Sequence, residues 1–240
     1  MNILVTGGSS GLGKAIVHLL AKINGHKVFF TYNRHSEEAE AIVRENHNVI
    51  AVKCDFTNAD DICRLEEAIP TFDLDVLINN AYVGTSQGTH FHKTDSASFL
   101  KSFENNLIPT IRITQRAIAG FRKKKFGKII NILTAYLVNV PPTGFSIYGA
   151  NKAYLQQLSK SWSNEYARYN ITSNCISPEF MLTNLSANVD ERIIDQMQAS
   201  HPLKKLLTPA EVADTVVYLV NASQQVNGTH IVINAAQNIL

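Results

Sequence analysis

Tyr148 and Lys152 stand four positions apart in the run Tyr148-Gly149-Ala150-Asn151-Lys152. On a helix that spacing puts both side chains on one face. A free phenol titrates near pH ~10, too high to exchange a proton readily at neutrality. A neighbouring ammonium and the positive charge of an oxidised nicotinamide both favour the phenolate and lower that value. The pair is therefore suited to proton transfer beside a redox cofactor, with Tyr148 protonating a carbonyl oxygen as hydride reaches the carbon. At the start of the chain, Thr6-Gly7-Gly8-Ser9-Ser10-Gly11-Leu12-Gly13 follows a strand-like run and opens a helical one. Glycines there permit a tight turn and close approach of backbone to a pyrophosphate, which the helix N-terminus attracts. Gly7, Ser9, Ser10, Gly11, Leu12 and Gly13 are thus candidate cofactor-binding residues. The second strand ends in Thr31-Tyr32-Asn33-Arg34-His35-Ser36, with no acid until Glu37. A carboxylate at that place would take the ribose hydroxyls of NAD. Arg34, with Asn33 beside it, can instead pair with a 2′-phosphate, so NADP(H) is the expected cofactor. The competing reading of Arg34 is a solvated loop cation.

These residues need a frame. Runs rich in Val and Ile recur at residues 3–5, 28–30, 49–52, 76–78, 128–132, 171–176 and 230–233. Their continuous apolar character predicts buried parallel strands. Amphipathic stretches near 11–24, 36–46, 58–68, 105–125, 147–168 and 209–221 alternate with them. Strand–helix alternation of this kind predicts an α/β fold, a doubly wound Rossmann-type parallel sheet with helices on both faces. No linker or repeat divides the chain, so residues 1–240 read as a single domain. Two regions break the rhythm. Residues 82–95 are polar and read as a loop above a strand end. Residues 179–207 delay the next regular helix, contain an amphipathic stretch around Arg192 to Met197, and read as a substrate loop or lid.

The composition, 45% hydrophobic and 18% charged over 240 residues, excludes disorder. A net charge of +2 implies no nucleic acid. Cys54, Cys63 and Cys175 form no close pair, which fits a reducing compartment with neither a disulfide framework nor a metal site. No apolar run approaches the roughly 20 residues of a membrane helix, and strand-like residues begin at Asn2, leaving no room for a signal peptide. A cytoplasmic protein without membrane contact is expected.

The turn Thr6-Gly7-x-x-x-Gly11-x-Gly13, together with Tyr148-x-x-x-Lys152, resembles the short-chain dehydrogenase/reductase family, and the likeness continues across almost the whole chain. The resemblance implies that Lys152 also bonds the nicotinamide ribose. It implies that Asp55, followed by Phe56 at the end of strand three, contacts adenine. Asn79-Asn80-Ala81 resembles the family's N-N-A-G, which makes Asn80 and Ala81 cofactor contacts, but Tyr82 stands in place of the glycine. The substrate-holding hydroxyl falls to Thr134, with Ser146 as a competitor that would otherwise cap the tyrosine's helix. Asn106, with Asn105 adjacent, matches the asparagine that kinks a helix and holds a water leading to the lysine. Asparagine is unfavourable inside a helical run, which supports a special role there. Pro178-Glu179-Phe180-Met181-Leu182-Thr183 resembles P-G-x-x-x-T, implying that Pro178 and Thr183 meet the carboxamide end of the nicotinamide, with Glu179 replacing glycine. Glu179 either faces solvent or reads a polar group of the substrate. The chain end, Ile231 to Ala236, lacks the family's glycine pair.

Within the family the chain is most similar to 3-oxoacyl-acyl-carrier-protein reductases, including His201-Pro202-Leu203 and Thr208-Pro209-Ala210-Glu211-Val212-Ala213. The implied activity is reduction of a ketone such as a 3-oxoacyl thioester, free or carrier-bound, to a secondary alcohol. Action on a sugar, polyketide or other specialised alcohol or ketone is one alternative. A non-catalytic NADP(H)-binding regulator is another. Enoyl reduction is disfavoured because the related enoyl reductases space tyrosine and lysine more widely. Arg122-Lys123-Lys124-Lys125 either docks an acidic carrier protein or complements a helix dipole. The family pairs the helices around 105–125 and 147–168 between subunits, implying a homodimer or homotetramer. Leu155, Leu158 and Trp162 would serve either the core or that interface.

Overall fold

A computed structural model describes residues 1–85, 88–183 and 189–237. Parts of both interrupting regions, residues 86–87 and 184–188, lie outside it. The described residues form seven strands: β1 (Asn2–Val5), β2 (Lys27–Tyr32), β3 (Val49–Lys53), β4 (Val76–Asn79), β5 (Gly127–Ile132), β6 (Ile171–Pro178) and β7 (His230–Ile233). All pair in parallel, in the order β3-β2-β1-β4-β5-β6-β7. The chain winds outward from β1 in one direction and from β4 in the other. Their carboxyl ends therefore flank the switch point where such sheets bind ligands.

Seven helices accompany the strands: α1 (Gly11–Ala21), α2 (Ser36–Glu45), α3 (Ala59–Phe72), α4 (Ser96–Lys124), α5 (Ser146–Glu165), α6 (Glu191–Ser200) and α7 (Pro209–Asn221). Strand side chains alternate between two apolar layers, as the pleat demands. Ile3, Val5, Val28 and Phe30 pack with α1, α2 and α7. Leu4, Phe29, Leu77 and Ile129 face α3 and α4 on the other side. A smaller cluster, Leu107, Leu133, Leu155 and Cys175, seats α5 on the sheet, and Trp162 packs against it. Leu155 and Trp162 thus serve the core.

Several helix ends differ from the sequence reading: α1 stops at Ala21 rather than near residue 24, and α3 runs on to Phe72 rather than ending near 68. Helix α4 starts at Ser96, well before residue 105, because Asp95 caps it by accepting a bond from Ser98 N at 2.6 Å. Pro109, which would conventionally mark a first turn, lies inside this helix. Helix α5 stops at Glu165, where a 3-10 turn leads to Asn170 in the left-handed conformation. Ser146 is the first residue of α5 rather than its cap. The cap position is Phe145, with no side-chain bond to the helix. The start of α7 needs no such revision, since Thr208 and Glu211 form a reciprocal capping box around Pro209.

Candidate active site

The carboxyl ends of the strands open into one crevice of about 690 Å³. One end of it is the glycine turn. Gly7 and Gly11 adopt φ of +68° and +50°, conformations that a side chain would strain. A Cβ on Gly13 would lie 1.9 Å from the Gly7 carbonyl oxygen, so α1 can start this close to the turn only with glycine there. The turn is bolted to its neighbours. Gly7 N donates to Thr31 Oγ1 at 2.9 Å, and Asn80 Nδ2 donates to the carbonyls of Thr6 and Gly7 at 2.9 and 3.0 Å. Thr6 Oγ1 in return accepts from the Asn80 and Ala81 amides. Ser9, Ser10 and Leu12 complete this rim. A cradle of bare backbone at a helix N-terminus fits a dinucleotide pyrophosphate.

Asn33, Arg34, Asp55 and Phe56 line the next part of the crevice. Burial raises the Asp55 carboxyl, but hydrogen bonds from Thr57 and Asn33 and the Arg34 charge outweigh it and hold Asp55 below the usual carboxylate range. The exposed Arg34 thus stands close enough to act on a neighbouring anion.

Tyr148 and Lys152 share one face of α5 at the far end, and both are buried. The Thr134 hydroxyl, which follows β5 and lines the crevice, lies near enough to the Tyr148 phenol to partly offset its desolvation. Ser146 is not part of the described lining. The Lys152 ammonium donates to the Ile132 carbonyl at 2.7 Å and lies 5.6 Å from the Tyr148 ring centre. Burial pushes this lysine down to about 8 and pushes the tyrosine up. The expected drop in the phenol does not arise from this geometry. Desolvation dominates, and the ammonium is engaged by a carbonyl instead of facing the hydroxyl. At pH 7 the charged lysine is still the major form.

Pro178 and Thr183 also line the crevice, whereas Asn106 sits behind it. Its Oδ1 accepts from Val83 N at 2.6 Å, and its Nδ2 donates to the carbonyls of Val83 and Ser102. Asn106 therefore ties α4 to the loop that carries Tyr82. Thr110 Oγ1 donates to the Asn106 carbonyl at 2.7 Å.

Several contributors went unassigned in the sequence. Tyr82 packs edge-on against Tyr148, with ring centres 4.9 Å apart, and its face lies 5.3 Å from Lys152 Nζ. Its hydroxyl stands 3.5 Å from Ser102 Oγ, which accepts from Asn151 Nδ2 at 2.9 Å. Phe145 flanks Tyr148 on another side at 5.7 Å, and Tyr136 packs against Phe145 at 5.1 Å. For Tyr82 the signal was its place in the N-N-A-G motif, and for Tyr136 and Phe145 it was the aromatic density of their loop. The basic run Arg122–Lys125 ends α4 at the opposite end of the sheet. Lys124 there pairs with Asp73 and Asp75, and Arg122 covers the Tyr169 ring. This placement favours the helix-dipole reading over a docking role beside the crevice. No helix among the described residues is long and apolar enough to cross a membrane.

Comparison with known proteins agrees with this geometry. Residues 7–235 match the family model described as "Enoyl-(Acyl carrier protein) reductase". The chain is 33% identical over 222 residues to carbonyl reductase family member 4 of Xenopus laevis, covering 91% of this chain and 90% of that protein. It is 30% identical over 226 residues to the 3-oxoacyl-[acyl-carrier-protein] reductase MabA of Mycobacterium tuberculosis, covering 92% and 85%. A solved short chain dehydrogenase/reductase family protein superimposes with a TM-score of 0.85 at 28% identity, over 97% of this chain and 95% of that one. The chain belongs to the short-chain dehydrogenase/reductase family and is an oxidoreductase of that family.

Proposed function

We propose that this oxidoreductase reduces a ketone of the 3-oxoacyl-thioester type to a secondary alcohol with NADP(H). The observation that carries the reading is the convergence of Thr134, the buried Tyr148 and Lys152 in the lining at one end of a dinucleotide-sized crevice. The nicotinamide supplies hydride to the carbonyl carbon when bound. Thr134 holds the carbonyl oxygen, and Tyr148 transfers its proton to that oxygen as the carbon is reduced. The Lys152 ammonium, held on the Ile132 carbonyl 5.6 Å from the Tyr148 ring centre, is the nearby charge that favours the resulting phenolate once the proton has left, and solvent returns the proton. The glycine rim and Asn80 hold the pyrophosphate, Asp55 and Phe56 the adenine end, and Pro178 and Thr183 the nicotinamide end. Arg34 selects the phosphorylated dinucleotide.

Two relatives named for 3-oxoacyl and carbonyl reduction support ketone chemistry. The matching family model is described by enoyl reduction, but the four-residue Tyr–Lys spacing resembles the ketone-reducing branch. Leu100, Ile108 and Tyr154, exposed on α4 and α5, support assembly into a homo-oligomer. Residues 179–207, of which 184–188 lie outside the described residues, serve as the substrate loop of a single-domain chain, and α6 within it buries none of its described side chains. The test is oxidation of NADPH with 3-oxoacyl thioesters and simple ketones. Tyr148→Phe should lower kcat by about a hundredfold to ten-thousandfold, the usual worth of a general acid. It should leave NADPH binding intact. Full turnover by the variant would sink the mechanism.

A further inference from the structure

Two described carboxylates line the crevice, and their surroundings are opposite. Asp55 is compensated: its Oδ1 accepts from Thr57 N and from Thr57 Oγ1, both at 2.8 Å, and the Arg34 charge stands nearby. Glu179, at the other end, lies immediately after β6. Its backbone amide is anchored to the Ile233 carbonyl of β7 at 2.9 Å. Its side chain leans toward the segment after Thr134, where Asn139 Nδ2 donates to Oε2 at 2.8 Å, and the Phe180 amide donates a second bond. An ionised carboxylate offers about four acceptor positions, so roughly half remain open. Among the described residues no lysine, arginine or histidine forms an ion pair with it. Lys152 is directed at the Ile132 carbonyl instead.

Asn139 Oδ1 is buried without a donor, and burial raises the Glu179 carboxyl with no cation to reverse it. The Tyr136 phenol, pushed up to about 12 by burial and by the Glu179 charge, stands close by. Otherwise this part of the lining is apolar or aromatic, with Phe145, Phe180 and Met181. A mostly apolar pocket with one convergent polar group is how small-molecule sites encode orientation. A half-buried carboxylate of this kind binds a donor far better than it binds a methylene.

We propose that Glu179 is a specificity-determining acceptor that reads an O–H or N–H group which the substrate carries close to its carbonyl. The inference rests on the ketone-reductase reading, and it narrows the substrate to ketones bearing a hydrogen-bond donor on the side facing Glu179. A hydroxyl, an amide N–H of a thioester arm and an ammonium share that chemistry, so the experiment separates them.

Matched secondary alcohols are titrated into the protein saturated with NADP⁺, one parent compound and three derivatives with a hydroxyl, an acylamino or an amino group near the carbinol. At least one derivative should bind about ten- to a hundredfold tighter than the parent, the worth of a hydrogen bond to a charged group. Glu179→Leu should bring that ratio close to one. Glu179→Gln, which keeps one acceptor without the charge, should retain part of a hydroxyl or amide preference and lose an ammonium preference. The NADP⁺-induced rise in melting temperature checks that each variant is folded, and the wild-type ratio stands without them. Equal binding of parent and derivatives by wild type, or a ratio that survives Glu179→Leu, overturns the assignment. Turnover of the corresponding ketones with NADPH is scored separately. Turnover without donor preference overturns only the role of Glu179, and donor preference without turnover overturns only the ketone-reductase reading.

Discussion

Replacing Lys152 by methionine should change stability in a pH-dependent way that follows from its burial. The lysine is 5% exposed, and burial lowers it from 10.5 to about 8. At about 1.4 kcal/mol per tenfold, that drop corresponds to about 3 kcal/mol by which the folded state disfavours the ammonium. The penalty is fully present below pH 8, where both folded and unfolded chains carry the proton. It shrinks as pH rises and vanishes above 10.5, where neither does. Methionine keeps most of the aliphatic stem and removes the penalty, but it loses the bond to the Ile132 carbonyl, which costs about 1 to 3 kcal/mol. Near pH 7 the variant should therefore match or exceed wild type in stability while losing turnover. Toward pH 10.5 the balance should swing by about 3 kcal/mol in favour of wild type. Urea denaturation of the cofactor-free protein at pH 7 and pH 10, read by circular dichroism, measures the swing. A stability difference that stays constant across this range would refute the account of a strained, desolvated lysine.

Arg34→Ser should weaken NADPH binding by about ten- to a hundredfold, the worth of charge-assisted bonds to one phosphate, and leave NADH nearly unaffected. Parallel titrations of both cofactors decide it, and equal losses would mean that Arg34 does not read the 2′-phosphate. Ala235 and Ala236 adopt φ of +48° and +59°. Exchanging both for glycine should relieve about 1–2 kcal/mol at each position, less about 0.5–1 kcal/mol of glycine's added chain entropy. The double variant should melt a few degrees higher, and a lower Tm would contradict the strain.

The frame and the glycine turn were legible because each is dictated locally. Continuous Val and Ile runs have nowhere to go but a doubly covered sheet, and Thr208-Pro209-Ala210-Glu211 spells its own helix start. Contacts assembled from distant segments were not legible. Tyr82, Ser102 and Asn151 come from a loop, α4 and α5, and nothing in their spacing foretells that they meet. Lys128 reads as a charge at the edge of a strand. In the fold it is buried, and its Nζ donates to the Leu219, Val220 and Ala222 carbonyls, closing the end of α7 more than ninety positions away. The start of α4 was hidden for a different reason, since an interior proline looks like a first turn and its cap lay in a polar stretch.

The departures from the family pattern follow the same physics. Gly13 could not be exchanged, because any Cβ would meet the Gly7 carbonyl at 1.9 Å, and Gly7 and Gly11 hold left-handed backbone. Tyr82 and Glu179 replace glycines of the family motif, yet neither has positive φ. A side chain could be added at both without backbone strain, and both residues now line the crevice. Tyr82 walls in Tyr148 and Lys152, while Glu179 lines the crevice with no cation paired to it among the described residues. Strain thus conserves the cofactor rim, and the permissive backbone beside it is where new recognition chemistry could enter. At Ala235 and Ala236 the exchange occurred despite left-handed backbone, which is why a gain in stability from glycine is expected there and not at Tyr82 or Glu179.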